Sequence, residues 1–531
     1  MAATADLIAG REKLRKALQV TETGPLVHGL LRSVGLTAEE CRNAARLERR
    51  RLRDPGLLPG MGPAERRRRI DKVLPPHGQP WAPPGRCATL WLILAEALEN
   101  EHDAAGAVLA NELTENGSIR ALKLRWRGRL RGGWASEIPV LHLDATLRAE
   151  LVRPYLQHIA VRDPVTATTP HVRVRQVLGS PTTARALTPD MQAPERERKT
   201  AAHHLRDLLA YVRLRARELH RTGRDTDLLL VGQKAAIDTL RAAGLPPRVD
   251  AVHFNGLSGL DKWGNVGCLI ILGRTLPAPM TVEALSAALT GRTPLAASTG
   301  DGWWYGTRER RIRLAGGRTF AVPGEVHADP TAEAIRWSIC EGELIQAMGR
   351  GRGVNRTPEN PLQIDLMTGV VLPVTVAELV DWQDLRPARR DLMAARGVVL
   401  ENAADMARCF PDLWDNHEAA RKDGQRSGTN GYYRIFYNSE MSHSSVVASY
   451  RPQGAGRKLR SATFDLTIIP DPEAWLTARL GPLATFVREL DADTSVPAAR
   501  RVALHDVAHT LAAITATTQP QPNPSEQETH P

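Results

Sequence analysis

The chain has 531 residues, of which 42% are hydrophobic and 24% are charged, and its formal net charge at pH 7 is +11. This length suggests about three domains, and the basic excess favours polyanions over acidic proteins as partners. No apolar run approaches the roughly 20 residues that span a membrane, and the first residues lack the apolar core of a secretory signal, so the sequence predicts a cytoplasmic protein without membrane contact.

The cysteines and histidines indicate no metal site. Five cysteines are scattered along the chain without any Cys-x-x-Cys pair, and His203 and His204 have no cysteine nearby. A zinc site or a disulfide framework needs closer spacing or companions. The sequence therefore predicts reduced thiols and no bound metal.

Residues 1–95 are predicted to form a basic helical region. Residues 41–71 hold ten arginines against four acids. Such runs are typical of solvated helix faces, and a phosphate-contacting surface is the alternative.

Two strands are predicted after this region. In residues 119–130 the side chains of Leu122, Leu124 and Trp126 alternate with basic ones, which predicts a half-buried strand with a basic outer face. Residues 138–147 form a short apolar run that ends in Asp144-Ala-Thr146. A run of this kind favours a buried strand in an α/β sheet, with chemistry at its carboxyl end.

The central part of the chain alternates between helix and strand patterns. Residues 193–223 predict a long helix, and from residue 227 short apolar strands alternate with helices as far as a strand at 364–374. This order predicts βαβ units and a parallel sheet.

The last part of the chain is predicted to bind nucleic acid. Residues 421–460 hold eight Lys or Arg against two acids, interleaved with tyrosines and a phenylalanine between 432 and 437. Cations that neutralise phosphates and aromatic rings that stack on bases suit a single strand, although the same aromatic residues would also suit a strand packed on the core. The predicted contacts are Arg421, Lys422, Arg426, Arg457, Lys458 and Arg460.

One segment carries the most specific pattern. Residues 331–356 predict a helix that runs into a basic, glycine-broken loop. In this segment Gln346 is followed by Gly349-Arg350-Gly-Arg352, and by Arg356 four residues later. Arginines suit polyphosphate because their planar forks bind phosphate oxygens and keep their charge. This pattern resembles the sixth motif of superfamily 2 helicases, whose arginines meet the γ-phosphate of ATP across a domain cleft.

Three further segments add to the resemblance, in the order and spacing of that family. The segment around Gly259 and Asp261 looks like the fifth motif, residues 228–234 lie where the fourth motif's strand would be, and Asp144 to Thr146 lie in the place of the third. The resemblance covers residues 138–375. It implies that Gln346, Arg350 and Arg352 or Arg356 contact nucleotide. It also implies that the following residues relay the nucleotide state: Asp144, Thr146, Gly259 and Asp261.

Two departures from the family pattern limit what the resemblance implies. The 531 residues contain no Gly-Lys dipeptide for a P-loop and no Asp-Glu pair for magnesium. The family's second arginine falls on Gly353, so the choice of arginine finger between Arg352 and Arg356 stays open. ATP and Mg²⁺ are therefore expected only if another chain supplies the P-loop.

The resemblance implies an α/β fold with a RecA-like parallel sheet, a helical N-terminal region and a mixed α+β C-terminal region. The predicted division is 1–95, basic and helical; 96–185, a remnant of the first RecA-like domain; 186–385, the second RecA-like domain; 386–515, a basic nucleic-acid-binding domain; and 516–531, a disordered tail.

The leading hypothesis is a helicase-like protein of a replication context that binds nucleic acid, DNA rather than RNA, and contributes the second motor domain. It would be a truncated product, one half of a split helicase or a degenerate accessory protein, and unable to hydrolyse ATP alone. The alternative is a non-catalytic nucleic-acid-binding protein with a degenerate helicase fold. An unrelated α/β enzyme finds no support, because no Gly-x-Ser-x-Gly, His-Glu-x-x-His or paired-carboxylate pattern occurs.

Overall fold

The chain divides into two compact units, the first comprising residues 1–206 and 223–386 and the second residues 207–222 and 387–531. The structure is a computed structural model, and it describes residues 2–51, 55–73, 84–114, 117–128, 130, 138–156, 158–162, 167–188, 192–257, 259–297, 304–426 and 445–489. The predicted tail at 516–531 lies outside these residues.

The helices of the described residues are α1 (Ala2–Val20), α2 (His28–Ser33), α3 (Ala38–Arg50), α4 (Pro63–Val73), α5 (Pro84–Glu99), α6 (Ala149–Val152), α7 (Ala184–Leu187), α8 (Glu195–Glu218), α9 (Lys234–Ala242), α10 (Pro279–Thr290), α11 (Pro330–Trp337), α12 (Glu343–Gly349), α13 (Trp382–Leu385), α14 (Arg389–Ala395), α15 (Ala403–Cys409), α16 (His417–Arg426) and α17 (Pro472–Leu480). The strands are β1 (Gly24–Leu26), β2 (Ala104–Thr114), β3 (Gly117–Leu124), β4 (Val172–Leu178), β5 (Leu228–Gly232), β6 (Val249–His253), β7 (Cys268–Leu272), β8 (Gly306–Leu314), β9 (Thr319–Val326), β10 (Leu362–Met367), β11 (Thr375–Val376), β12 (Glu378–Asp381), β13 (Val398–Leu400), β14 (Ser445–Pro452), β15 (Arg460–Asp465) and β16 (Leu483–Glu489).

A six-stranded parallel sheet forms the centre of the first unit. Its strand order is β12-β4-β10-β7-β5-β6, and each neighbouring pair is parallel. Every residue of β5 and β7 is buried, because helices and loops cover both faces of such a sheet and continuous apolar runs satisfy them. The predicted mixed α/β class and parallel sheet are confirmed, and the predicted helix at 193–223 is α8.

Strand β4 enters this sheet from a segment that the sequence pattern did not single out. It pairs in parallel with β10 from Val172↔Leu362 onward. Its buried Gln176 donates from Nε2 to the carbonyl oxygens of Thr368 and Val370, both at 2.9 Å. The predicted strand at 364–374 ends at Met367, and the residues that follow it form the loop that Gln176 holds.

The strand expected at 138–147 is wrong. These residues form no strand, and the side chains of Leu141 and Leu143 are 82% and 83% exposed. A short apolar run favours burial, but it does not show whether a neighbouring strand will offer hydrogen bonds. Here Asp144 and Thr146 lie on irregular backbone instead of at a strand end.

An antiparallel sheet of β1, β2 and β3 and the helices α1, α3 and α5 share one core in the N-terminal part. Helix α3 begins with a capping box in which Thr37 and Glu40 satisfy each other's backbone amides. Leu122 and Leu124 of β3 pack against the core as predicted. Trp126, predicted to join them, is 53% exposed because β3 ends at Leu124.

The second unit combines an antiparallel sheet of order β13-β15-β14-β16 with helices. Its core includes Trp414, Tyr450 and Phe464. The carboxylate of buried Asp405 accepts from the Tyr450 hydroxyl at 2.6 Å and from Arg460. This part of the chain is mixed α+β.

Candidate functional site

The helical segment that carries the arginine pattern contains a π turn. Helix α11, the π turn Ser338–Gly342 and α12 follow one another without a break. Asp329 starts the segment by accepting from the amide of Ala332 at 2.8 Å, and Pro330 occupies the first turn. The helix predicted to run into a glycine-broken loop is confirmed. π turns inside helices are frequent at functional sites.

Thr146 and Gln346 are brought together by this helix. The Gln346 amide Nε2 donates to Thr146 Oγ1 at 3.3 Å. The same hydroxyl donates to Asp144 Oδ1 at 3.0 Å, and the Thr146 amide donates to that oxygen at 2.8 Å. Burial acts to raise the pKa of Asp144, but the hydrogen bonds from Thr146 and His142 outweigh it, so the pKa lies below its ordinary value. The carboxylate thus stays ionised and holds the threonine.

The loop around Asp261 packs against the arginine loop. Arg352 forms a two-bonded ion pair with Asp261, with Nε–Oδ1 at 2.8 Å and Nη2–Oδ2 at 2.7 Å. Arg350 Nη1 donates to the Leu260 carbonyl oxygen at 3.0 Å. Gly259 has φ +75°, a left-handed conformation that favours glycine and sets the turn before Asp261.

The three arginines differ in their surroundings. The side chain of Arg352 is 44% exposed, and its backbone is left-handed at φ +49°. Arg350 is half-buried, and its Nε is buried with no acceptor in the described part of the chain. A buried polar group without a partner is rare, and a ligand is one explanation for it.

Arg356 is a buried structural residue in this conformation. It is 5% exposed and donates from Nε and Nη2 to the Gly351 carbonyl oxygen at 2.8 and 2.6 Å. Burial, with the nearby charge of Arg224, lowers the pKa of Arg356 to about 10. Its guanidinium closes the loop on itself, so Arg350 and Arg352 are the accessible arginines of the pattern.

The arginine loop lies at the amino ends of the central strands. A Cβ at Gly353 would come within 3.0 Å of Val172, the first residue of β4, and one at Gly351 within 2.5 Å of Leu362, the first residue of β10. Gly351 and Gly353 therefore let the loop lie directly on the sheet end, and a larger residue at Gly351 would require Leu362 to move.

A cleft of about 490 Å³ lies at the opposite, carboxyl ends of the strands. Open parallel sheets commonly bind ligands at this edge. Arg274 pairs with Glu325 on one wall, while Arg336 bonds Glu333 and Glu341 at 2.7 Å each. The hydroxyls of Ser180, Thr182, Thr183 and Thr368 also line it. The sequence pattern did not identify this cleft, since its residues come from separate loops.

The predicted contacts of the C-terminal block have different environments. Arg460 is paired with buried Asp405, and its role as a phosphate contact stays a prediction. Arg421 and Lys422 lie on α16 within 2.7 and 3.8 Å of Glu418. Arg457 and Lys458 are exposed in the turn before β15. The side chain of Arg426 and the aromatic residues between 432 and 437 lie outside the described residues.

A basic hairpin was also missed by sequence reasoning. Strands β8 and β9 pair as a hairpin, and β11 extends it to three strands. Arg311 and Arg313 share one exposed face, opposite Ala321 and Thr319. Their period-two spacing within residues 306–314 was a usable signal for a strand with a basic outer face.

Comparison with protein-family models, with curated proteins and with solved structures finds no match to this chain. In the described part of the chain, no group of three or more His, Cys, Asp or Glu side chains is arranged to hold a metal ion. No helix there has the length and apolar character needed to cross a membrane.

Proposed function

We propose that this chain is a helicase-like protein that binds nucleic acid and contributes the arginine-bearing, RecA-like second domain of a nucleotide-driven motor. The observation that carries the proposal is that two distant segments, around Thr146 and Asp261, both contact α12 and the loop after it. Thr146 bonds Gln346, and Asp261 pairs with Arg352. Packed and hydrogen-bonded contacts of this kind can carry energetic coupling between residues that sense nucleotide and residues that relay its state.

Arg350 and Arg352 supply the chemistry for a triphosphate. Arg350 and Arg352 are separated by one residue at the end of α12, and Arg350 has a donor without an acceptor. An arginine that meets the charge developing on a transferred phosphoryl group accelerates phosphoryl transfer by roughly 10³-fold or more. In this role the chain faces a P-loop carried by another chain, which also holds the ATP and Mg²⁺.

The non-catalytic alternative is favoured by a specific observation. Asp261 already occupies the guanidinium of Arg352, and Arg356 is buried against Gly351. In a nucleic-acid-binding protein with a retained but idle motor domain, these contacts hold the loop together. In a motor, Asp261 must release Arg352 when nucleotide arrives.

The first experiment measures hydrolysis and strand binding on the purified chain. We expect binding of a fluorescent 20-nucleotide single strand that weakens steeply with salt, because phosphate contacts release counterions. ATP turnover should stay at background with and without that strand. Turnover that disappears in Arg350→Ala would overturn the requirement for a second chain.

The second experiment asks whether the arginines meet nucleotide. Phenylglyoxal modifies accessible arginines, and mass spectrometry reads each modified peptide. At millimolar concentration ATP should protect Arg350 and Arg352 even without the P-loop chain, because their guanidiniums would bind the triphosphate directly. Arg421 is likewise exposed and paired with a carboxylate, but it lies on α16 and should stay unprotected. Equal modification of all three arginines with and without ATP would favour the non-catalytic alternative.

A further inference from the structure

A second cleft of the first unit, of about 560 Å³, opens between the N-terminal layer and the end of α10. The wall residues on the N-terminal side include Arg49, Thr89, Glu96, Arg125, Trp126 and Arg127. They come from α3, α5 and the segment that follows β3. This cleft shares no residue with the arginine loop or with the cleft at the carboxyl ends of the sheet.

Trp126 is exposed where an indole would ordinarily be covered. Its side chain is 53% exposed, although it follows two leucines that pack into the core. The backbone nonetheless holds it in place, because the Arg125 amide donates to the Gly106 carbonyl oxygen at 2.8 Å. A Cβ at Gly106 would lie 2.4 Å from the Arg125 carbonyl oxygen, so glycine permits this close approach.

The arginines of the cleft outnumber its acids. Arg49, Arg125 and Arg127 face one glutamate, Glu96. In the part of the chain that the structure describes, Arg49 and Arg125 form no side-chain ion pair or hydrogen bond, and Arg127 donates only to the Leu289 carbonyl oxygen, at 3.2 Å. Arginines that stay unpaired around a concave surface are available to an anionic ligand.

We infer that this cleft binds single-stranded nucleic acid, with one base stacked on Trp126 and the flanking phosphates met by Arg49 and Arg125. An aromatic face accepts any base, and cations beside it follow the backbone, so the combination is tolerant of sequence. Single-stranded character is required because the bases of a duplex are not free to stack on an indole. The inference rests on the nucleic-acid binding of the proposed function and adds a contact site outside the motor helix.

The test compares variants of the full chain by fluorescence anisotropy with a labelled oligo(dT) of 20 nucleotides. Trp126→Ala should lower the affinity about tenfold, within the range that loss of one stacked base produces. Trp126→Phe keeps an aromatic face and should retain affinity within about threefold. Thermal unfolding of each variant checks that the chain is folded. If Trp126→Ala does not fold, crosslinking of the wild type and the affinity of Trp126→Phe still test the inference.

Arg49 and its neighbour supply a matched pair of charge variants. Both are exposed at the end of α3, but only Arg49 lines the cleft. Arg49→Gln should weaken binding and reduce the slope of log Kd against log salt by about one. Arg50→Gln removes the same charge and should leave that slope unchanged.

Photocrosslinking gives an independent readout. An oligonucleotide carrying 5-iododeoxyuridine should crosslink to the peptide that contains Trp126. If the wild type and Trp126→Ala bind the strand with equal affinity and the crosslinks form only in other peptides, this inference is overturned. The proposed function would still stand in that case. A wild-type chain that binds no single strand at all would overturn the proposed function itself.

Discussion

Thr146 and Gln346 are 200 positions apart in the sequence and share a hydrogen bond of 3.3 Å. The threonine hydroxyl also donates to Asp144, so it connects an irregular segment to the arginine helix. This contact is direct, and it lies on the same helix as Arg350. The hydrogen bond is a physical contact through which the proposed coupling between these two segments can act.

Thr146→Val should loosen the segment around Asp144 from the helix. The substitution preserves shape but removes both bonds of the hydroxyl, at a cost on the order of 1–3 kcal/mol for the groups left unpaired. Hydrogen exchange measured by mass spectrometry should rise in residues 143–148 and in α12. Thr146→Ser keeps the hydroxyl and should exchange like the wild type, and faster exchange in both variants would instead indicate a packing role for the methyl group.

Asp261→Asn should make Arg352 more available without unfolding the chain. The pair is exposed on both sides, 44% for Arg352 and 65% for Asp261, and exposed pairs stabilise proteins by about 0–1 kcal/mol. The melting temperature should therefore barely move, while ATP protection of Arg352 from phenylglyoxal should increase. Unchanged protection would show that Asp261 does not compete with nucleotide.

The buried pair of Arg336 and Glu333 should depend on pH. Burial raises the pKa of Glu333, but the hydrogen bonds from Arg336 and from the His327 amide lower it by more. The net shift of the pKa is therefore downward from 4.5. A lowered folded pKa means that the stabilisation is complete above the ordinary value and is lost as pH falls through the folded one. Because Arg336 keeps Glu341 as a partner, Glu333→Gln should destabilise the first unit by on the order of 1–3 kcal/mol at pH 7.

Calorimetric melting at pH 7 and pH 3 checks this expectation. The difference between Glu333→Gln and the wild type should shrink at the lower pH. The control is Glu309→Gln, which breaks an exposed pair with Arg311 and should change the melting temperature little at either pH. A Glu333→Gln deficit that is equal at both pH values would contradict the ionic account.

Substitutions of Arg460 and Arg457 should have different effects, the first on stability and the second on strand binding. The carboxylate of Asp405 is 3% exposed and bonds both the Tyr450 hydroxyl and Arg460. Arg460→Ala removes its cationic partner, and breaking a buried pair costs on the order of 3–5 kcal/mol. Arg457→Ala changes an exposed side chain and should reduce strand binding with little effect on melting. Melting curves and anisotropy on both variants test this. A stable Arg460→Ala chain that binds less strand would instead support the predicted contact role of Arg460.

The hairpin arginines should contribute to strand binding through charge alone. Replacing Arg311 and Arg313 together by glutamine should weaken binding equally for all sequences and lower the salt slope by about two. Anisotropy titrations from low to high salt measure the slope. The control replaces Arg308 and Arg318 by glutamine, since both are exposed in the same hairpin but lie away from that face. An equal loss of strand affinity in the control would mean that net charge, and not this face, determines binding.

Sequence patterns were sufficient for the central strands β5 and β7 of the parallel sheet, because these two strands are buried along their whole length. Residues 228–232 and 268–272 are apolar at every position that the sheet buries, and their alternation with helices leaves few topologies open. The helix that ends at Gly349 and the glycine-broken loop after it were likewise predictable from local sequence patterns. Such signals lie within about ten neighbouring residues.

Tertiary structure alone decided which residues meet and which are free. Arg352 and Arg356 are four positions apart in the same loop, yet Asp261 holds one at the surface and Gly351 holds the other in the interior. The apolar run at 138–147 is exposed because no strand pairs with it, and Arg460 is committed to a carboxylate 55 residues away. Charge and hydropathy are properties of single residues, whereas burial and pairing depend on partners that only the folded chain brings within reach.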